Sequence, residues 1–289
     1  VTQPVLALAD VSRSFGPIEV LHGVDIALQP GRVHALIGEN GAGKSTTMKI
    51  MAGYHPASSG TILLHGQSVT FATMGEAEAQ GISMIHQEFN LAELLTVEQN
   101  IFLGRELKRG WLLNKVMMRA RTRDLLARLN CHVSPDRVVA TLSNSDKQMV
   151  EIAKALLRDT SVLIMDEPTA VLTRTETGVL LEQVCALRDQ GTAVLFTSHK
   201  LDEVKAIADD LTIMRDGSVV WSGLASELDE HQMAEAMVGR EMSALFPPKD
   251  GVVGEVALEV VNLTVPGFSE DISFSLRKGE ILGIAGLIG

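Results

Sequence analysis

Short aliphatic runs alternate with longer amphipathic segments along most of the chain. A continuous run of four to six aliphatic residues is typical of a strand buried on both faces of a parallel sheet. Such runs predict strands at residues 33–38, 82–85, 162–166, 193–197 and 211–214. Apolar residues at helical spacing predict helices over 149–157 and 173–190. Strands that alternate with helices indicate an α/β fold.

Two segments depart from this alternation. Over about residues 89–159 the strand signal fades, and leucines clustered at 125–129 indicate an inserted, mostly helical subdomain. Residues 241–255 carry paired prolines and two glycines, which favour an extended linker. We therefore expect a first domain over residues 1–240 and a second domain that begins near residue 256.

The end of the chain repeats a pattern from its beginning. Residues 276–289 match residues 28–41 in the spacing of three glycines and in the aliphatic run between them. The matched pairs are Gly279 with Gly31, Gly286 with Gly38 and Gly289 with Gly41. Internal repeats of this kind indicate duplicated structural units. We expect the chain to be the front half of a tandem protein, with residues 256–289 as the truncated start of a second copy.

Composition and charge narrow the classes of function. The 289 residues carry a formal net charge of −11, which argues against a nucleic-acid coat because phosphate contacts need basic surface. Aromatic residues make up 4%, so stacking platforms for bases or sugars are scarce. Cys131 and Cys185 lie far apart without disulfide or zinc spacing, as expected in a reducing cytosol. No apolar run approaches the ~20 residues that span a bilayer, so we expect any membrane attachment to come from a partner.

The strongest local motif directly follows the first of these predicted buried strands. Residues 38–45 read Gly-Glu-Asn-Gly-Ala-Gly-Lys-Ser and match G-x-x-x-x-G-K-[ST] between a strand and a helix. The glycines let backbone N–H groups face a phosphate, Lys44 neutralises its β- and γ-oxygens, and Ser45 can coordinate Mg²⁺. The predicted phosphate-binding residues are Gly38, Asn40, Gly41, Ala42, Gly43, Lys44, Ser45 and Thr46.

A pair of carboxylates strengthens this interpretation. The predicted strand 162–166 ends in Asp166, which Glu167 follows. Ligands of α/β folds bind at the carboxyl ends of parallel strands. Asp166 is placed to hold Mg²⁺, and Glu167 is placed to polarise an attacking water as general base. Together with the phosphate loop, the two carboxylates predict a Mg-nucleotide site.

The order of these motifs, together with Gln87, Leu142-Ser143 and His199, resembles the nucleotide-binding domain of ABC ATPases. The resemblance covers the whole chain. It implies a P-loop NTPase fold with a RecA-like core, an antiparallel β subdomain and an inserted helical subdomain. It also implies ATP and Mg²⁺ as ligands.

The resemblance implies roles for four further residues. Gln87 matches the glutamine that senses Mg²⁺ and the γ-phosphate, and His199 matches the switch histidine that contacts the γ-phosphate. Phe15 matches the aromatic residue that stacks on adenine. Ser143 belongs to the signature motif, which acts across a dimer. The implied catalytic residues are Lys44, Gln87, Glu167 and His199, and the implied Mg²⁺ ligands are Ser45, Gln87 and Asp166.

The signature motif departs from the family pattern, which is close to LSGGQ. Residues 142–146 read Leu-Ser-Asn-Ser-Asp, so Ser145 would crowd the partner's phosphate and Asp146 would add repulsive charge. The phosphate loop of the second repeat, which would face this signature motif, is also expected to bind nucleotide weakly. We therefore expect one competent composite site, built on Lys44 and Glu167 with the second domain's signature, and one degenerate site. Alone, the chain is expected to bind Mg-ATP and to hydrolyse it slowly.

Other segments, at 87–91, 97–106, 168–173 and 237–241, resemble tandem ATPases of carbohydrate importers. This resemblance implies the ATP-hydrolysing subunit of a bacterial ABC importer for a sugar or similar small polar solute, peripheral on the cytoplasmic face of the inner membrane. The implied partners are membrane permease subunits, a second ABC domain of the same chain and, indirectly, a periplasmic or extracellular solute-binding protein. No nucleic acid is expected. A nucleoside importer of the same type, a soluble ABC ATPase acting on ribosomes or DNA, and a nucleotide-regulated binding module remain alternatives.

Overall fold

The computed structural model describes residues 3–157, 159–239, 253–267 and 269–285. Its contacts divide the chain into two compact units, Val1–Arg240 and Glu241–Gly289. The sequence predicted a domain boundary at this position. Residues 241–252 of the predicted linker lie outside the described residues, as do Gly286 and Gly289 of the repeat.

Unit 1 contains twelve strands and eight helices among its described residues, numbered here in chain order. The strands are β1 Leu6–Phe15, β2 Ile18–Leu28, β3 Val33–Gly38, β4 Ser59–Leu64, β5 Gln67–Val69, β6 Ile82–Ile85, β7 Lys108–Arg109, β8 Leu112–Leu113, β9 Val162–Met165, β10 Ala193–Phe196, β11 Asp210–Arg215 and β12 Ser218–Leu224. The helices are α1 Lys44–Met51, α2 Met74–Ala79, α3 Val97–Ile101, α4 Lys115–Arg128, α5 Asn144–Ala155, α6 Arg174–Asp189, α7 Leu201–Ile207 and α8 Glu230–Val238.

A six-stranded sheet forms the centre of unit 1, with the strand order β12-β11-β3-β10-β9-β6. All neighbouring strands run parallel except β11 and β12. The five predicted buried strands are confirmed as β3, β6, β9, β10 and β11. Because Met165 pairs with Phe196, the residues that follow β9 and β10 leave the sheet side by side.

A second, antiparallel sheet has the strand order β2-β1-β4-β5. It confirms the antiparallel subdomain that the resemblance implied. The register between β1 and β2 shifts between Leu8 and Val11, so β1 bulges and its side chains do not alternate regularly. This irregularity explains why the hydrophobic pattern alone did not reveal these strands.

The segment between β6 and β9 contains helices α3, α4 and α5 and the small hairpin β7–β8. Leu125 of α4 and Ile152 of α5 are buried in one apolar cluster with Phe196 of the central sheet. Asn100 is fully buried in α3, and its amide nitrogen donates to the Ala92 and Thr96 carbonyls at 3.0 and 3.1 Å. The helices and the loop before them are thus fixed to one face of the sheet.

Unit 2 contains one antiparallel hairpin among its described residues, formed by β13 Val256–Val265 and β14 Ser269–Arg277. It repeats the local geometry of the β1–β2 hairpin. Asp10 has a φ of 50°, and its N–H donates to Asp25 Oδ1 at 3.0 Å. Asn262 has a φ of 51°, and its N–H donates to Ser273 Oγ at 2.8 Å. The likeness between the two ends of the chain therefore extends beyond the glycines to these strands.

Candidate functional site

The carboxyl ends of β3, β9 and β10 face a cleft of about 500 Å³. Loops and helix N-termini converge at this edge of a parallel sheet, which is why ligands bind there. The cleft is lined by Val20, Asn40, Gly41, Ala42, Gly43, Lys44, Ser45, Thr46, Gln87, Asp166, Glu167 and His199. Apart from Val20, every lining residue is one that the sequence analysis proposed. A larger cavity of about 610 Å³ beside α4 contains none of them.

Two glycines of the phosphate loop fit only because they lack a side chain. A Cβ atom on Gly38 would lie 2.3 Å from the carbonyl oxygen of Met214, and one on Gly43 would lie 2.5 Å from Cδ2 of Leu21. Gly43 also has a φ of 100° and precedes α1 without a side-chain cap. The first N–H groups of α1 are therefore left for a ligand, and an anion is favoured there by the helix dipole.

Lys44 is held against the phosphate loop by two backbone carbonyls. Its Nζ donates to Gly38 O at 2.7 Å and to Glu39 O at 3.1 Å. Burial lowers the pKa of the Lys44 ammonium from its ordinary value, while the nearby charges of Glu167 and Asp166 oppose that shift. The direct partners of this half-buried cation are neutral carbonyls, and a phosphate in the loop would add a negative charge in direct contact with it.

Asp166 and Glu167 are positioned by a residue from the next strand. The hydroxyl of Thr197 donates to Asp166 Oδ1 at 3.1 Å and accepts the N–H of Glu167 at 2.9 Å. Glu167 has a φ of 47°, which is unusual outside glycine and is typical of strained functional sites. Thr197 thus connects both carboxylates to the end of β10.

Glu167 also contacts His199. The Nδ1 atom of His199 lies 3.1 Å from Glu167 Oε1. Only 15% of the Glu167 side chain is exposed, against 58% for His199, so the carboxylate lies inside the cleft and the imidazole at its opening. The predicted general base and the predicted switch histidine are therefore in direct contact.

A buried carboxylate joins the loops that carry these two residues. Oε2 of Glu203 accepts hydrogen bonds from Thr169 Oγ1 at 2.6 Å and from Ser198 Oγ at 2.9 Å. Its Oε1 lies 3.0 Å from Nζ of Lys200. Glu203 is 5% exposed, so these partners replace its water.

Gln87 lines the cleft next to a second anchored residue. The hydroxyl of Tyr54, which follows α1, lies 2.7 Å from Nε2 of His86. Burial raises the pKa of Tyr54 and lowers the pKa of His86, so both groups stay neutral near pH 7. The pair ties the segment before Gln87 to the end of the phosphate-loop helix.

Three predicted site residues do not line the cleft: Gly38, which ends β3, Phe15 and Ser143. Phe15 is 41% exposed at the end of β1, with the guanidinium carbon of Arg13 4.6 Å from its ring centroid. Ser143 caps α5, and its hydroxyl accepts the N–H of Asp146 at 3.1 Å. Their roles in adenine stacking and in a composite site stay predictions.

The sequence analysis missed Thr197, Glu203 and the pair of Tyr54 and His86. Thr197 ends the predicted strand 193–197, but the sequence did not reveal that this strand lies beside the strand that leads to Asp166. Glu203 lies four residues after His199, at the spacing of one helical turn, but a single acidic residue at that distance carries little information by itself.

A sequence model of the family described as "ABC transporter" matches residues 21–170, slightly more than half of the chain. The chain belongs to the ABC transporter family. Over 287 residues it is 46% identical to the "Ribose import ATP-binding protein RbsA 3" of Rubrobacter xylanophilus, and the match covers 99% of this chain and 58% of that protein. Over 288 residues it is 47% identical to the "Ribose import ATP-binding protein RbsA 1" of Streptomyces coelicolor, covering 99% and 57%. The chain thus spans less than two thirds of the length of these curated relatives.

Solved structures of this ABC transporter family share the fold. A nucleotide-free ATP-binding cassette from an ABC transporter superposes with a TM-score of 0.70 at 23% identity, over 81% of this chain and 95% of that one. An ATP-binding cassette in its ADP conformation gives a TM-score of 0.71 at 25% identity, over 82% and 96%. Family membership implies that the chain binds ATP. Among the helices of the described ranges, we find none with the length and apolar content needed to cross a bilayer.

Proposed function

We propose that this chain forms the ATP-hydrolysing part of a bacterial importer for ribose or a closely similar sugar. The observation that carries the proposal is the convergence of Lys44, Asp166, Glu167 and His199 on one cleft. The sugar is suggested by the relatives, which are named as ribose import proteins and match almost the whole chain. ATP binds with its phosphates against residues 38–45.

Mg²⁺ fits the donors that the cleft offers. The hydroxyl of Ser45, the amide of Gln87 and the carboxylate of Asp166 are hard oxygen ligands, which Mg²⁺ prefers. Within the described part of the chain, no three His, Cys, Asp or Glu side chains lie close enough to hold a metal alone. Mg²⁺ characteristically keeps waters and uses substrate phosphates as ligands, so few protein ligands suffice. When bound, it offsets negative charge on the phosphate oxygens.

The positions of three side chains support the following hydrolysis step. A water oxygen attacks the γ-phosphorus, the bond from that phosphorus to the β–γ bridging oxygen breaks, and ADP and phosphate leave. Glu167 takes the proton of the attacking water, while Lys44 offsets charge on the phosphate oxygens. His199 contacts the Glu167 carboxylate through Nδ1, and its largely exposed ring lies at the opening of the cleft.

The proposed partners are those of an importer. Permease subunits would hold the chain at the cytoplasmic face of the membrane, and a second ABC domain would complete each composite site through its signature motif. A solute-binding protein outside the membrane would act through the permease. Closure of two nucleotide domains around ATP would then change the permease conformation, and hydrolysis would reset it.

Uptake of labelled ribose tests this function. Cells that lack the gene encoding the full-length protein should lose ribose uptake and regain it with the wild-type gene, but not with Glu167→Gln. Uptake of a labelled nucleoside serves as the control solute. Loss of nucleoside uptake with intact ribose uptake would contradict the proposed solute, and intact uptake of both would contradict the importer.

A further inference from the structure

The β7–β8 hairpin exposes large apolar side chains at its turn. Trp111 is fully exposed, and Leu112 is 76% exposed. We call Lys108–Leu112 the hairpin tip. Adjacent exposed tryptophan and leucine side chains are unfavourable in water. Such apolar patches mark surfaces that bind a protein, a membrane or a ligand.

The hairpin tip is held in place by backbone contacts. Lys108 pairs with Leu113 and Arg109 with Leu112. At its base, the N–H of Asn114 donates to Leu107 O at 2.7 Å, and the Asn114 side chain caps α4. The exposure of Trp111 therefore follows from a defined turn.

The turn of the hairpin tip is open to its surroundings. A Cβ atom on Gly110 would meet no atom within 4 Å. The neighbouring cavity, of about 570 Å³, is lined mainly by residues of α3 and α4 and includes neither Trp111 nor Leu112. The two apolar side chains thus do not form the wall of a groove that could receive a protein segment.

The net charge around the hairpin tip is opposite in sign to the net charge of the whole chain. Between Arg105 and Arg123 there are seven basic residues and one acidic residue, in a chain with a net charge of −11. Arg105 pairs with Glu78 and Arg119 with Asp136. Lys108, Arg109 and Lys115 are exposed, and none forms a salt bridge with another described residue. The segment that carries the exposed indole therefore has an excess of positive charge, with Glu106 near Lys108 as its one acidic residue.

We propose that the hairpin tip binds the surface of an anionic lipid bilayer. Trp111 and Leu112 enter the headgroup region, where indole rings are favoured, and Lys108, Arg109 and Lys115 face lipid phosphates. Binding is weak and reversible, because one short apolar tip and a few charges anchor a protein only partially. This contact goes beyond the proposed import function and gives the chain an attachment to the membrane that needs no permease.

Tryptophan fluorescence tests the proposal on the 289-residue chain. The sequence contains two tryptophans, so Trp221→Phe leaves Trp111 as the single reporter. Protein-free vesicles of phosphatidylcholine with phosphatidylglycerol should shift the Trp111 emission to the blue and sediment the chain. Vesicles of phosphatidylcholine alone should do so much less, and added salt should reverse the effect.

Charge variants distinguish binding at the hairpin tip from general electrostatic attraction between the chain and the vesicles. Each removed basic residue should weaken binding about fivefold, so Lys108→Gln with Arg109→Gln should weaken it roughly 25-fold. The matched control, Arg174→Gln with Lys278→Gln, removes two exposed charges elsewhere and should leave binding nearly unchanged. ATP affinity should stay the same in both, because neither pair lines the nucleotide cleft.

Three results would overturn the proposal. One is the absence of any blue shift with anionic vesicles at low salt. Another is an equal loss of binding in the two double variants. The third is a blue shift that appears only with membranes containing proteins, which would mean that the hairpin tip docks on a protein partner.

Discussion

The Nδ1 atom of His199 lies 3.1 Å from Oε1 of Glu167, although the two residues follow different strands. Glu167 follows β9 and His199 follows β10, and the strands pair so that Met165 lies opposite Phe196. The sheet register therefore creates the contact between the proposed base and the histidine. A change in either residue is expected to affect the same chemical step.

Glu167→Gln should separate ATP binding from hydrolysis. The amide keeps the size of the side chain but cannot take a proton from water, so the kcat of the full-length protein should fall by about 10²- to 10⁴-fold. The Kd for Mg-ATP, measured with a fluorescent analogue, should stay close to the wild-type value. Glu182→Gln, which changes an exposed carboxylate on α6, is the control. An unchanged kcat in Glu167→Gln would remove Glu167 from the proposed mechanism.

Lys44→Ala should weaken nucleotide binding itself. The variant loses the cation that would meet the phosphates, and we expect the Kd for Mg-ATP to rise roughly 30-fold, equivalent to about 2 kcal/mol. Lys49→Ala, in the last turn of the same helix, is the control because Lys49 does not line the cleft. Equal affinities of Lys44→Ala and Lys49→Ala would show that the phosphates bind elsewhere.

The central sheet and the local motifs could be predicted because each depends on adjacent residues. A run such as Val162–Met165 is buried along its whole length, and the phosphate loop carries its glycines and Lys44 in one short segment. The bulged strand β1 was visible only through the family resemblance, because its burial does not alternate.

The residues that hold the site residues and their loops in place could not be predicted in the same way. Thr197 reaches Asp166 across two paired strands, and Glu203 reaches Thr169 over a separation of 34 residues. Tyr54 reaches His86 over 32 residues. These contacts depend on strand order and helix placement, which no short motif records.

Glu203→Gln should impair turnover more than binding. Glu203 does not itself line the cleft but joins Thr169, which follows Glu167, to Ser198, which precedes His199. The amide keeps one oxygen acceptor but loses the charge that faces Lys200, so we expect kcat to fall about tenfold with KM nearly unchanged. Asp202→Asn, an exposed neighbour on α7, is the control. A loss of stability with unchanged kcat would make Glu203 purely structural.

His34 should make the fold sensitive to mild acid. Its ring is buried in β3 with Nε2 2.8 Å from Thr212 Oγ1, and burial lowers its pKa to about 4 despite the opposing charge of Asp210, while Arg32 assists the shift. The unfolded chain takes up this proton near pH 6.5, so stability is full above that pH and is lost as the pH falls toward 4. For this residue alone, the free energy of unfolding should be about 2 kcal/mol lower at pH 5 than at pH 7.5. Urea unfolding of His34→Gln should show a correspondingly smaller pH dependence than wild type, whereas His132→Gln, at an exposed position, should match wild type. If wild type and His34→Gln lost equal stability over this range, the acid sensitivity would have to come from other groups.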